Sequence, residues 1–215
     1  MSADVVVIDY GIVNLFSVRR AFERCGATVS VSSDPDVLLA APRLVLPGVG
    51  AFADGMRGLA ERGLDEVVVD YADAGRPLMG ICLGMQMLAS FSEEFGEHAG
   101  LGIIPGRVAS LPRFDPQGVP YKVPHVGWAD LQSDNHPAAW QGSILEGLAP
   151  GDAVYLTHSF AVRSDDPAHR LAHCLYNGTE VTTAIRKGNV YGVQFHPEKS
   201  GKVGLTIISN FANLG

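Results

Sequence analysis

Pro77-Leu78-Met79-Gly80-Ile81-Cys82-Leu83-Gly84-Met85-Gln86 is the stretch on which the reading of this chain turns. Pro77–Ile81 is apolar and strand-like, and Leu83–Phe91 carries a helical pattern. Between them stands Gly80-x-Cys82-x-Gly84, a potential nucleophile set on a strand-to-helix turn. The glycines allow the sharp turn and a close approach of helix to strand. Backbone N–H groups at a helix start favour a thiolate and can also hold an oxyanion. The competing reading makes Cys82 a small buried hydrophobe at a strand end.

Outward from this turn, apolar runs alternate with helical patterns. Val5–Ile8, Thr28–Val31 and Leu44–Leu46 read as strands. Asn14–Cys25, Pro35–Ala41, Asp54–Arg62 and Leu64–Ala74 read as helices. Such alternation predicts an α/β fold, a mostly parallel sheet covered by helices on both faces. After about Gly106 the helical signal fades, and Arg107–Leu111 and Ala153–Leu156 read as short strands. Arg170–Tyr176 and Glu180–Arg186, joined by Asn177-Gly178, predict a hairpin with a type I′ turn. Val190–Phe195 follows, and Ser200 is placed to cap a last helix with Val203, Ile207, Ile208 and Phe211 on one face. Phe114–Ser143 shows no clear element and reads as loop. The expectation is one domain over residues 1–215 with a C-terminal antiparallel extension.

Composition excludes several classes of function. The chain has 215 residues, 16 Lys and Arg against 23 Asp and Glu, and a net charge of −7, without the basic stripe of a nucleic-acid binder. Residues 1–100 hold 14 acids and 7 bases, whereas residues 101–215 hold 9 of each. The excess peaks between Asp54 and Glu97 and reads as a solvated helical face, with an interaction surface second. Cys25, Cys82 and Cys174 make no CxxC pair, so neither a metal centre nor a disulfide framework is expected. Pro77–Ser92 is uncharged but contains glycines and a Gln, and does not read as a membrane span. An acid at position 4 and no cationic leader argue against a signal peptide. The expected location is cytoplasmic and reducing.

A nucleophilic thiol needs a base. Of seven histidines, His98, His136 and His169 lie in polar contexts, and His173 alternates inside a strand. His196 ends an apolar strand and is followed by Pro197 and Glu198, so a carboxylate stands where it can orient the imidazole. Other motifs fail on context. His-x-Glu lacks the Pro-Cys-x-x-Cys of a zinc deaminase. Ser200-Gly201-Lys202 lacks the upstream glycine of a phosphate loop. Gly48-Val49-Gly50-Ala51-Phe52-Ala53 fits a dinucleotide fingerprint weakly, because it follows the third strand, and serves equally as a source of oxyanion donors. A cysteine peptidase or esterase and a non-catalytic nucleotide-binding module remain alternatives. The order His196 then Glu198 is not that of α/β-hydrolases.

Taken together, Leu46-Pro47-Gly48-Val49-Gly50-Ala51-Phe52, Gly80–Gln86 and Gly192-Val193-Gln194-Phe195-His196-Pro197-Glu198-Lys199-Ser200 resemble the class I (triad) glutamine amidotransferases. Within them, Asp9-Tyr10-Gly11, Pro124-His125-Val126-Gly127-Trp128 and Thr157-His158-Ser159-Phe160 resemble the glutaminase subunits of imidazole glycerol phosphate synthase. The resemblance implies Cys82 as nucleophile, His196 as base then acid, and Glu198 as the orienting carboxylate. It implies oxyanion donors at Val49, Gly50 and Leu83, a peptide at Val49–Gly50 that must reorient, and glutamine contacts from Gln86, Ser159 and Phe160. It places Tyr155, Lys199 and Trp128 at or near an interface with a (β/α)₈-barrel cyclase subunit in a heterodimer. L-glutamine is the implied substrate, with no cofactor and no metal. Anthranilate or pyridoxal phosphate synthesis is the alternative pathway. Val13, Ala129 and Phe160 depart from the family's common Gly, Asn and Tyr.

Overall fold

Leu78–Cys82, apolar apart from one glycine and buried at every position, runs through the middle of a seven-stranded sheet. The computed structural model describes residues 3–11, 15–133 and 140–214. Val13, Asn14 and His136 lie outside the described residues. In chain order the elements are β1 (Val5–Ile8), α1 (Leu15–Arg24), β2 (Val29–Ser32), α2 (Pro35–Ala40), β3 (Leu44–Gly48), α3 (Phe52–Ala60), α4 (Leu64–Asp73), β4 (Leu78–Cys82) and α5 (Leu83–Met87). There follow β5 (Phe91–Ser92), β6 (His98–Ala99), β7 (Gly106–Ser110), β8 (His125–Asp130), β9 (Ala153–His158), β10 (Phe160–Ser164), β11 (Arg170–Tyr176), β12 (Thr179–Lys187), β13 (Val190–Val193) and α6 (Gly201–Ala212).

The main sheet has the order β11-β12-β13-β4-β3-β1-β2. β2, β1, β3, β4 and β13 pair in parallel, and β11, β12 and β13 pair antiparallel. Successive side chains of a strand point to opposite faces. Val5, Val7, Val45, Met79, Tyr191 and Val193 therefore join one core with Val18 and Phe22 of α1 and Ile207, Ile208 and Phe211 of α6. Val6, Ile8, Leu44, Leu46, Leu78 and Val190 join the other with Leu38, Leu59, Leu64 and Val68 from α2, α3 and α4. A four-stranded sheet (β10-β7-β5-β6) and the β8-β9 pair complete the molecule.

The hairpin closes as its turn residues require: Asn177 and Gly178 both have positive φ, 48° and 75°. Three expectations are corrected. The helix expected over Leu83–Phe91 ends at Met87, because Leu88 and Ala89 tighten to i→i+3 bonds and Ser90 N–H donates to Gly106 O at 2.9 Å, drawing Phe91–Ser92 into the second sheet. The loop expected over Phe114–Ser143 contains β8, paired along its length with β9. Its alternation was hard to read because the side facing outward carries Val126 and Trp128, 57% and 58% exposed. Ser200 stands at the N-cap position of α6, but its hydroxyl does not cap the helix. It donates to His196 O at 2.7 Å and accepts from Tyr155 N–H at 3.0 Å. The acids of α4 lie mostly on its exposed face, as a solvated surface would have them.

Candidate active site

The carboxyl ends of three neighbouring parallel strands converge at Cys82. β4 ends in Cys82, β3 leads on one side into Val49–Gly50, and β13 leads on the other into Gln194–His196. A crevice beyond the carboxyl ends of parallel strands is where open α/β sheets bind ligands. Cys82 takes φ 54° and ψ −110°, a conformation that costs a non-glycine residue on the order of 1–3 kcal/mol. The turn is held by close packing: a Cβ on Gly84 would meet Leu46 O at 1.8 Å, and one on Gly80 would meet Gly84 O at 2.7 Å. The two elbow glycines are thus the contact surface between α5 and the strands beneath it.

His196 is 5% exposed. Its Nδ1 lies 2.9 Å from Oε1 of Glu198, whose side chain is 3% exposed. Glu198 Oε2 is also buried and meets no partner among the described residues. Burial works against a charged imidazole here, but hydrogen bonding to Cys82 and Glu198 outweighs it and holds the His196 pKa up at about 9. Thiol, imidazole and carboxylate therefore stand in a row. In that order a thiol can pass its proton to an imidazole whose tautomer a carboxylate fixes, which is the requirement for nucleophilic attack on a carbonyl or carboxamide carbon.

The row opens into a cavity of about 350 Å³ lined by Val49, Gly50, Cys82, Leu83, Gln86, Glu94, Pro124, Thr157, His158, Ser159, Phe160 and His196. Every residue singled out in the sequence for oxyanion or glutamine contact lies on this wall. Gln86 is fixed by donating from Nε2 to Phe160 O at 3.1 Å and to Gln194 Oε1 at 3.0 Å. The Val49–Gly50 segment, where Gly50 has φ 105°, is pinned on both flanks. Tyr10 Oη donates to Pro47 O at 2.8 Å, and Phe52 N–H donates to Glu94 Oε2 at 2.7 Å. The second bond places a carboxylate at the start of α3, where the helix dipole favours it.

Glu94, Gln194 and His158 were missed as site residues from sequence. Gln194 and His158 lie inside motifs that could have found them, whereas Glu94 follows a two-residue strand and gives no local signal. Trp128 and Tyr155 face each other across β8 and β9, ring centroids 6.0 Å apart. Lys199 is exposed in the turn after Glu198. Among the described residues no group of three His, Cys, Asp or Glu could hold a metal ion, and no helix is long and apolar enough to cross a membrane.

The sequence model of the family Glutamine amidotransferase class-I matches residues 6–213. The chain belongs to the class I glutamine amidotransferases. It is 46% identical over 212 residues to imidazole glycerol phosphate synthase subunit HisH 1 of Legionella pneumophila (strain Lens), covering 99% of this chain and 100% of that one. It is likewise 46% identical over 208 residues to subunit HisH of Geobacillus sp. (strain WCH70), covering 97% and 95%. Among solved structures, PurLQS from Thermotoga maritima superposes with a TM-score of 0.70 at 19% identity, covering 99% of both chains. At that identity the likeness speaks for the amidotransferase fold alone.

Proposed function

We propose that this amidotransferase is the glutaminase subunit of an imidazole glycerol phosphate synthase in L-histidine biosynthesis, acting in the cytoplasm as one domain over residues 1–215. The observation that carries the reading is the Cys82–His196–Glu198 row at the floor of a cavity of about 350 Å³, in a chain with HisH subunits among its relatives. L-glutamine enters with its side-chain amide at Cys82. The thiol proton passes to His196 and the sulfur attacks the carboxamide carbon, forming a C–S bond. The oxyanion is held by backbone N–H groups at Leu83 and Val49–Gly50. As the C–N bond breaks, His196 returns its proton to the departing ammonia. Water, its proton taken by His196, then attacks the thioester carbon and releases L-glutamate, the electron pair of the C–S bond returning to sulfur. Glu198 holds the imidazole throughout. Gln86, Ser159 and Phe160 hold the substrate, with Glu94 supplying a carboxylate on the same wall.

Ammonia then passes to a (β/α)₈-barrel cyclase in a heterodimer. There it reacts with a phosphorylated ribulosyl-formimino-aminoimidazole nucleotide to give imidazole glycerol phosphate and aminoimidazole carboxamide ribonucleotide. The exposed Trp128, its half-buried cross-strand neighbour Tyr155, and Lys199 are the proposed docking contacts. Cys82→Ala tests the whole reading: the reconstituted complex loses glutamine-dependent turnover and keeps ammonium-dependent turnover. Survival of the glutamine reaction would refute the nucleophile. Failure of any barrel cyclase to be activated would point instead to another ammonia-dependent synthase.

A further inference from the structure

The thiol has a neighbour that the mechanism above does not use. Gln194 is fully buried, two residues before His196. Its Nε2 lies 3.8 Å from Sγ of Cys82, within hydrogen-bond range for sulfur, and its Oε1 accepts from Gln86 Nε2 at 3.0 Å. The Gln86 amide also donates to Phe160 O at 3.1 Å, so both of its hydrogens are engaged. This network leaves one arrangement. Reversing Gln86 would set its oxygen against two acceptors, Phe160 O and Gln194 Oε1. Reversing Gln194 alone would set amide nitrogen against amide nitrogen, and an oxygen against the sulfur. A single backbone carbonyl, at Phe160, therefore decides that Gln194 presents N–H to Cys82.

We propose that Gln194 is a catalytic residue, its Nε2–H donating to Sγ of Cys82 whenever the sulfur carries negative charge. The inference rests on the reading of Cys82 as the nucleophile. The sulfur is anionic twice in the cycle: before attack on the carboxamide, and again when water expels it from the thioester. His196 holds a proton at the first moment and uses it on departing ammonia. A carboxamide cannot give its proton away, so its hydrogen bond remains available at both. A donor to an ionised acceptor is roughly twice as strong as one between neutral groups. Being neutral itself, Gln194 adds no second buried charge to be desolvated. The same relay leaves Oε1 of Gln86, on the cavity wall, to accept from the substrate. Loss of Gln194 thus acts on turnover first and on substrate affinity second.

The test uses Gln194→Leu and Gln194→Glu in the complex with the cyclase, alongside Cys82→Ala. Alkylation of Cys82 by iodoacetamide is followed against pH, with the modified peptide read by mass spectrometry to separate it from Cys25 and Cys174. Gln194→Leu is expected to move the alkylation midpoint up by about one pH unit and to lower kcat about tenfold, with a smaller change in KM. Gln194→Glu keeps the shape and the acceptor for Gln86 but sets a carboxylate oxygen at the sulfur, so its shift is larger still. Alkylation profiles of both variants coincident with the wild type, with activity lost only in step with a lower Tm, would make Gln194 a packing residue and overturn the proposal. Cys82→Ala retaining glutamine turnover would instead remove the nucleophile on which the proposal stands.

Discussion

Acidification should destabilise the wall of the glutamine cavity through one residue, His158. Its Nδ1 lies 2.8 Å from Phe160 O, so Nδ1 must carry the hydrogen. Nε2 is then a bare lone pair, buried and without a partner among the described residues. Burial lowers the pKa from 6.5 to about 4, with the bond to Phe160 opposing and the charges of His125 and His196 adding to the fall. Between these values the unfolded chain binds a proton that the folded chain refuses, so stability is full above pH 6.5 and is lost as pH falls toward 4. Between pH 7.5 and pH 5.0 the difference is about 2 kcal/mol from this residue alone. His125, stacked on Tyr176 at 3.8 Å and also lowered by burial, contributes with the same sign. His196, raised to about 9, contributes with the opposite sign, its stabilisation present at low pH and lost as pH rises through 9. A comparison at fixed background isolates His158. His158→Asn retains an amide N–H for Phe160 O and cannot titrate. Urea unfolding of both proteins at pH 7.5 and 5.0 should show the wild type losing about 2 kcal/mol more than the variant. Parallel losses, within about 0.5 kcal/mol, would mean that His158 is hydrated or charged in the folded state, and the argument from its orphaned nitrogen would be wrong.

Gly84→Ala drives a methyl into Leu46 O, where the Cβ has 1.8 Å, so α5 must shift. The expected result is a stability loss of about 1–3 kcal/mol by thermal unfolding, with kcat for glutamine down by on the order of 10²-fold. Glu198→Gln removes one of the two partners that raise His196, so the basic limb of the pH–rate profile moves down and kcat falls by at least about 10²-fold. An unmoved basic limb would separate Glu198 from the imidazole. Ser200→Ala deletes the hydroxyl that bonds both His196 O and Tyr155 N–H, and is expected to cost about 1–3 kcal/mol of stability, measurable by urea unfolding.

Much of this site was legible in the sequence because its chemistry sits in contiguous motifs. Strand, glycine, cysteine, glycine and helix follow one another in the chain, and His196 and Glu198 are two residues apart. The parallel strands were legible for the same reason, since strands buried on both faces read as unbroken apolar runs. What escaped was set by tertiary pairing. Nothing local distinguishes Ser90–Ser92 from a continuing helix, because the bond that stops the helix comes from Gly106. β8 was hidden because two of its three outward residues are a Val and a Trp, which blurs the inside–outside alternation. Glu94 reaches the site only because the second sheet lies against the start of α3, a juxtaposition that no spacing in the chain announces.

The two sides of the thiol are built to different stiffness, which bears on how a partner can act. On the imidazole side, Tyr155 O accepts from His196 N–H at 2.9 Å, Tyr155 N–H donates to Ser200 Oγ, and Ser200 Oγ donates back to His196 O. The peptide of the proposed interface residue Tyr155 is thus tied to the backbone of His196 through a three-bond link. Docking on the Trp128–Tyr155 rings would press on an already rigid arrangement. On the oxyanion side, Tyr10 and Glu94 fix Pro47 and Phe52, and the peptide between Val49 and Gly50 is suspended between those two anchors. Val49 is 39% exposed and Gly50 holds a positive φ that glycine adopts and leaves freely. In the proposed complex, activation by the cyclase therefore has a soft element to act on among the described residues: reorientation at Val49–Gly50 would change the donors offered to the oxyanion while the thiol, the imidazole and Gln194 stay where the strands put them.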